Sequence, residues 1–371
     1  MAITITSIAG TCWAHHGFGL FQMQIDRDWS GILTKVELVN PHSYMYLDAI
    51  DSSGDIQPMR CEMRAASVIR RMGWDTDMFV PGAHVEIHGH PHRDDPGACF
   101  LETFTLDENV EINRYETLSS TDLDTSSRPM ALASGEPNIS GDWAIEQTIL
   151  TDPPEGGNQI RIPASLRDAF AKGDMSLEEV RARDLTPVRS RPVYTDAGQA
   201  AADAFTDQDN PQYFCKPTSI ILDWIDDWPV NRITQTTTAQ GEKVIDISYG
   251  LITTSRRIHM EMDSHPARIL PSNAGHSIGH WEGNTLVVDT TGFEEGVLIA
   301  PTRNSEQLRI IERFTFNRED LSLRREWTAM DPIYLAEPMT GHDLASLSSV
   351  PYQDTPCKEL TPEFILDEFA P

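Results

Sequence analysis

Hydrophobic and polar residues alternate over much of this chain, which is the pattern of half-buried β-strands. The sharpest case is residues 308–329. Leu308–Phe316 alternates with Ile310, Glu312, Phe314 and Phe316 on one parity, and Leu321–Ala329 alternates with Leu321, Leu323, Arg325 and Trp327 on one parity. A four-residue loop at Asn317–Asp320 predicts a hairpin in which Phe316 faces Leu321, Phe314 faces Leu323, Glu312 faces Arg325 and Ile310 faces Trp327. A charge on an apolar face costs several kcal/mol unless it is paired. The Glu312–Arg325 pair is therefore either a staple of the core or the polar floor of a pocket.

The same reading divides the chain. In residues 15–115, Ser30–Asp51 forms one long strand or two, with a break at Asn40-Pro41. Ala65–Met72 is helix-like, Phe79–His92 holds a Pro-Gly turn and then a strand, and Phe100–Ile112 is a last strand. Five strands with one short helix between the third and fourth outline an OB-type barrel. Residues 116–140 are rich in Ser, Thr, Asp, Pro and Ala without periodicity and predict a linker. Gly141-Asp142-Trp143 opens a strand, and residues 163–205 predict a helical insertion in which Ser176 and Glu179 form a capping box. Long alternating runs follow at Asn231–Thr238, Val244–Thr254, Arg256–Met262 and Asn284–Gly292. With the hairpin they predict an up-and-down meander. The expected architecture is mainly β: an OB-like N-terminal barrel, then a lipocalin-like (calycin-type) antiparallel barrel over 141–337 with the helical insertion, and an irregular acidic tail over 338–371.

Composition narrows the function. The chain has 371 residues, 39% hydrophobic and 23% charged, with a net charge of −28. That field repels nucleic acid and anionic lipid, so neither is an expected partner. No apolar run reaches membrane-spanning length, and no membrane insertion is expected. The five cysteines are scattered, odd in number and without a CxxC, so mostly free thiols are expected. Met1–Ala14 is mildly apolar and ends in Cys-Trp-Ala, but the first Lys or Arg is Arg27. The chain as written reads as cytoplasmic, and as periplasmic if this stretch is the remnant of an export signal.

Two stretches carry a resemblance. His15-His16-Gly17-Phe18, Gly31-Ile32-Leu33-Thr34, Asn40-Pro41-His42, Gly73-Trp74, Pro81-Gly82 and Gly89-His90-Pro91 are spaced as in the bacterial domain of unknown function 6152 family, over roughly residues 15–112. The segment from Gly275-His276-Ser277-Ile278-Gly279 through Trp281-Glu282-Gly283-Asn284-Thr285-Leu286-Val287-Val288-Asp289-Thr290 resembles one found in uncharacterised bacterial proteins, some joined to that domain. The resemblance implies a shared fold and an export signal ending before the His pair, and it brings no activity.

Candidate chemistry falls in two places. On the strand Ala83–His92, His84, Glu86, His88, His90 and His92 share one parity. Imidazoles at i,i+2 on a strand chelate copper or zinc, which makes His15, His16, His42, His88, His90 and His92 the candidate metal ligands. Gly275-His276-Ser277-Ile278-Gly279 matches the nucleophile elbow of hydrolases, but no helix pattern follows it and a turn between strands explains the glycines better. In the second half, Arg256 shares the apolar parity of Ile252, Ile258, Met260 and Met262, while Asp289 follows Leu286–Val288, where both parities are apolar. The expected barrel interior thus holds Arg256, Asp289, Glu312 and Arg325, joined by Tyr249 and His276. As a site it suits a cofactor-independent acid/base enzyme of isomerase, lyase or cyclase type, acting on an apolar small molecule such as a terpenoid, steroid or polyketide. Glu312 or Asp289 would move the proton, and Arg256 and Arg325 would polarise an oxygen. The alternatives are a copper or zinc protein using the N-terminal histidines and a non-catalytic carrier of a lipid-like ligand. Oligomeric state is not legible.

Overall fold

A computed structural model of the protein describes residues 20–50, 53–74, 76–106, 111–118, 123, 125–151, 160–182, 187–226, 229–252, 254–354 and 357–358. His15 and His16 lie outside them. The chain divides into two compact units, one of Met1–Val36, Tyr44–Met63 and Phe79–Arg114, the other of Glu37–Ser43, Arg64–Met78 and Tyr115–Pro371.

The first unit is a barrel of β1 (Arg27–Glu37), β2 (Tyr44–Ile50), β3 (Ile56–Glu62), β4 (His84–Pro91) and β5 (Ala98–Leu106), with a short β6 (Ile112–Asn113) beside β5. Its order β3-β2-β1-β4-β5 closes through a parallel β3–β5 pairing, which is the OB arrangement that the strand count implies. Leu33, Met45, Leu47, Val85, Ile87, Leu101 and Phe104 fill it. The helix between the third and fourth strands, α1 (Ala66–Arg71), clusters with the second unit.

The second unit begins with β7 (Gly141–Ile145) and the small hairpin β8 (Thr148–Thr151) and β9 (Ile160–Pro163). The predicted insertion follows as α2 (Arg167–Ala171), α3 (Leu177–Ala182), β10 (Val188–Arg189) and α4 (Asp196–Asp203). Its capping box is present: the Ser176 backbone N–H donates to Glu179 Oε2 at 2.8 Å and the Glu179 N–H to Ser176 Oγ at 3.2 Å. After α5 (Leu222–Ile225) come β11 (Asn231–Thr237), β12 (Lys243–Tyr249), β13 (Thr254–His259), β14 (His276–Glu282) and β15 (Thr285–Thr291). A side ribbon of β16 (Gly296–Ile299) and β17 (Thr302–Asn304) leads to β18 (Arg309–Asn317), β19 (Ser322–Met330) and β20 (Met339–Leu347). Strands β7, β11–β15 and β18–β20 close into a nine-stranded barrel through the β20–β7 pairing. One neighbouring pair, β13–β14, is parallel, because Met260–Gly275 crosses back before β14 starts.

Several expectations need correction. Residues 338–371 are not all an irregular tail, because β20 is a nine-residue strand without which the barrel would not close. Its alternation is masked in the sequence by Gly341, His342 and Asp343 at its centre. The hairpin keeps the predicted faces but not the predicted pairing: Glu312 faces Trp327, Phe314 faces Arg325 and Phe316 faces Leu323. Leu321 adopts a left-handed backbone with φ of 56° and belongs to the turn, so the register moves by two residues and each parity is preserved. The thiols are mostly not free. Cys61 faces Cys99 across the β3–β5 pair and the two are joined, and Cys215 is joined to Cys357. The corrections to Asp289, His276 and the histidine set are treated with the site.

Candidate functional site

The interior of the second barrel is built by parity. Ile310, Glu312, Phe314 and Phe316 of β18 point inward, as do Leu323, Arg325, Trp327 and Ala329 of β19, Thr254, Arg256 and Ile258 of β13, and Met339, Asp343 and Ala345 of β20. Apolar residues including Trp143, Trp224, Tyr249 and Phe314 surround four charges that form a chain. Arg256 Nη1 lies 2.6 Å from Glu312 Oε2, and Arg325 Nη1 donates to Glu312 Oε1 at 3.2 Å. Arg325 Nε and Nη2 donate to Asp343 Oδ2 at 3.0 and 2.8 Å. Two acids and two bases balance, as the sequence implies, with Asp343 in the place expected for Asp289. Burial pushes the Asp343 carboxyl above the usual range, and Arg325 and the Trp224 indole N–H, which donates to it at 2.9 Å, work against that rise.

The two arginines differ in how their donors are used. A guanidinium has five N–H groups. Arg325 makes five hydrogen bonds: two to Asp343, one to Glu312, and one each to the carbonyls of Ile220 and Ile221 at 3.3 Å. Arg256 uses only Nη1, toward Glu312 and toward Thr290 Oγ1 at 3.4 Å, while its Nε and Nη2 are buried without a well-formed hydrogen bond. The Tyr249 hydroxyl and Asp223 Oδ2 are buried and likewise lack a well-formed hydrogen bond, although Arg256 interacts with the Tyr249 hydroxyl and Thr254 with the Asp223 carboxyl. The Arg256 guanidinium sits 5.9 Å from the centre of the Tyr249 ring. Burial raises the Tyr249 pKa, with Arg256 opposing, so its hydroxyl stays a neutral donor. Burial, helped by the Asp226 carboxylate, pushes the Asp223 carboxyl well above its ordinary value and favours its protonated form. Its other oxygen accepts from the Thr218 hydroxyl.

Asp223 and Asp343 were not found from the sequence. Asp343 lies in a strand whose alternation Gly341 and His342 obscure, and its signal is the parity that it shares with Met339 and Ala345. Asp223 precedes Trp224 in a four-residue helix too short for periodicity to show.

Asp289 and His276 do not reach the interior. On β15 the inward residues are Leu286, Val288 and Thr290, so Asp289 faces outward, where Arg309 Nη2 and Nε donate to it at 2.6 and 2.9 Å. A both-parities-apolar run had masked this, because Val287 is only half-buried. His276 starts β14 beside His265, Nδ1 to Nδ1 at 2.9 Å, and its ring stacks on His259 at 5.0 Å. Burial and the two neighbouring imidazoles lower its pKa. Ser277 is sealed in a strand against Thr290 Oγ1 at 2.8 Å, so the Gly-x-Ser-x-Gly stretch is no elbow.

In the first unit, His88 is half-buried and its Nδ1 lies 2.8 Å from Asp28, a hydrogen bond that raises its pKa. His90 is buried. His92 lies past the strand, where its Nδ1 accepts from the N–H groups of Asp94 and Asp95 at 3.1 and 3.0 Å, and burial lowers its pKa. His42 belongs to the second unit. The predicted six-histidine set is therefore not one cluster among the described residues. One group there brings three possible ligand atoms within 4.8 Å of one another: Asp26, His90 and Glu102.

Two clefts are also present in the second unit. One, of about 880 Å³, is lined by Arg71, Tyr115, Glu146, Gln147, Arg167 and Ser348 among others. The other, of about 340 Å³, lies against Arg189, Arg313, Glu326 and His342. Neither is lined by the buried charges. Among the described residues no helix is long and apolar enough to cross a membrane.

These features define a mainly β protein of two closed barrels, one with a charge network sealed inside it. Residues 4–99, about a quarter of the chain, match the model of a family of unknown function, DUF6152. No curated protein and no solved structure matches the chain.

Proposed function

We propose that the second barrel houses a cofactor-independent acid/base enzyme of isomerase, lyase or cyclase type, acting on an apolar small molecule that carries a carbonyl or hydroxyl oxygen. The observation that carries this reading is the contrast between the two buried arginines. Arg325 has every donor committed and acts as scaffold. Arg256 keeps its Nε and Nη2 donors without a well-formed hydrogen bond next to Tyr249, and Asp223 Oδ2 is a further buried oxygen of the same unit without one. Each buried unpaired polar group costs about 1–3 kcal/mol, so a fold gains nothing by gathering them unless they serve something else. Arg256 and Tyr249 would hold the substrate oxygen, Asp223 would give and regain the proton, and Glu312 would position Arg256. Asp289 has no part in it. The apolar lining, including Trp224 and Phe314, suits a terpenoid, steroid or polyketide skeleton. The way in would be through the stretch Thr218–Ile225, which Arg325 holds by the carbonyls of Ile220 and Ile221.

Melting temperature and exchange test this. The full chain is warmed with a panel of a steroid ketone, a monoterpenoid ketone and an aromatic polyketide, and each is then recovered from D2O to measure deuterium beside the carbonyl. A member that raises the melting temperature and gains deuterium supports the enzyme. One that raises it without exchange leaves a carrier. Tyr249→Phe removes a hydroxyl without a well-formed hydrogen bond, so it should fold at least as well as wild type and lose the ligand-induced shift. A wild-type chain unmoved by the whole panel at millimolar concentration would assign the network to the fold alone.

A further inference from the structure

We infer that Asp26, His90 and Glu102 form a site for a divalent transition-metal ion, of which zinc is the simplest probe, on the first barrel. It is independent of the chemistry proposed for the second.

The argument starts from a bulge. Along β4 and β5, His88 pairs with Thr103 but Gly89 pairs with Leu101, so Glu102 is an extra residue on β5 without a partner across the ladder. A bulge re-aims a side chain and is frequent next to functional sites. Gly89 is required there, since a Cβ at that position would run into the Phe100 carbonyl oxygen. Opposite the bulge stands His90, whose side chain is only 8% exposed. Ile25 and Asp26, just ahead of β1, lie against its Nδ1: the Ile25 carbonyl oxygen is at 3.1 Å and Asp26 Oδ1 at 3.4 Å.

That contact orients the ring. With Nδ1–H donated to a backbone carbonyl, the Nε2 lone pair is presented outward, as in histidines that ligate metals. Nε2 faces Glu102 Oε2 at 3.3 Å. A lone pair and a carboxylate at that distance need a cation between them or beside them, either a proton or a metal. Nitrogen and oxygen ligands about 2.0–2.2 Å from one zinc ion lie roughly 3–3.5 Å apart, so this separation already suits two ligands of one ion. Glu102 already meets Nε2, whereas Asp26 lies on the Nδ1 side and, at 68% exposed, has to swing round the ring edge to complete the set, a move that the 4.8 Å spread of the three ligand atoms keeps short. An imidazole and two carboxylates suit zinc, and in a chain of net charge −28 they attract any divalent cation.

The test is a calorimetric titration of the full chain with zinc chloride at neutral pH, repeated on variants. One site of roughly micromolar affinity is expected, weakened about tenfold or more by Glu102→Gln and by Asp26→Asn. Both are exposed changes that should leave the fold intact, so the inference does not depend on His90→Ala folding. His276→Ala removes one of the two facing imidazoles on the second barrel and should leave the isotherm unchanged. Binding that disappears with His276→Ala, or zinc uptake indifferent to Glu102→Gln and Asp26→Asn, would overturn the assignment. So would no binding at all, which would leave a proton as the cation between His90 and Glu102.

Discussion

The two barrels hold mirror-image charge clusters. In the second, one carboxylate, Glu312, stands between two guanidiniums, and all three side chains are no more than 1% exposed. In the first, one imidazole, His90, stands between two carboxylates, and only the imidazole is buried. The sealed cluster has to carry its own counter-charges. Asp343 completes it, and Arg325 reaches two backbone carbonyls to satisfy its last donors. The open cluster leaves its two carboxylates exposed, 68% at Asp26 and 42% at Glu102. Burial therefore decides whether a given set of ionisable residues works as framework or as a site, and Arg256 is notable because it sits in the sealed cluster without being satisfied by it.

The largest effect should come from removing the centre of the sealed cluster. Glu312→Ala leaves Arg256 buried without its carboxylate and Arg325 with Asp343 alone as counter-charge, and urea denaturation of the full chain should show a loss of about 3–5 kcal/mol. A loss below about 1 kcal/mol would mean that water reaches the arginines and that the contrast in burial is not real.

Next in size are the two cross-links, one in each unit. Removing Cys61–Cys99 or Cys215–Cys357 by paired serine substitutions should each lower stability by about 2–4 kcal/mol. Thiol titration of the unfolded, unreduced chain should find no more than one reactive group among five cysteines. A count of five would restore the free thiols that the odd number and wide spacing first imply.

The faces of β13, β18 and β19 are legible in the sequence, those of β15 and β20 are not, and the register between partners is not. Period two placed Glu312, Arg325 and Arg256 inside correctly, because each lies among Ile, Leu, Phe or Met on its own parity. Register depends on one turn residue, and nothing in Leu321 announces a left-handed backbone, which glycine or asparagine would have done. The bulge was within reach: Gly89 inside a strand is a recognised mark of one, and it would have singled out His90 from the other histidines of its strand. Asp223 was beyond reach, because its burial is set by long-range packing of a single helical turn.

A smaller effect separates Asp223 from the rest of the sealed cluster through pH. Its folded pKa is raised by burial, so between about pH 4 and that folded value the unfolded chain has released a proton that the native chain still holds. Its contribution to stability is complete below about pH 4 and declines as pH rises through the folded value. Asp343 is shifted the same way by burial, so part of any such decline persists without Asp223. Asp223→Asn should flatten the fall between pH 5 and pH 8 by at most about 1.4 kcal/mol per pH unit, the equivalent of one proton. Parallel wild-type and variant curves in urea titrations at both pH values would show that the carboxyl is ionised in the native barrel and cannot serve as the proton donor.

The smallest effect belongs to Asp289, and it tests the same boundary between inside and outside. Its carboxylate is 21% exposed and its partner Arg309 is 54% exposed, on the outer face of β15. The Arg309 guanidinium pKa is raised by the hydrogen bond to Asp289, but an ion pair with one partner this open is screened by solvent and contributes about 0–1 kcal/mol. Asp289→Asn should therefore shift stability by less than about 1 kcal/mol and leave ligand binding and deuterium exchange at the wild-type level. The neighbouring residue provides the contrast within one strand. Thr290 points inward to Arg256 and Ser277, so Thr290→Val, similar in volume, removes an acceptor from Arg256 and should cost more than Asp289→Asn despite the smaller change in charge. If the order came out reversed, β15 would have its faces exchanged. The acid expected inside from sequence would then belong there after all, and the framework role of Asp343 would have to be reconsidered.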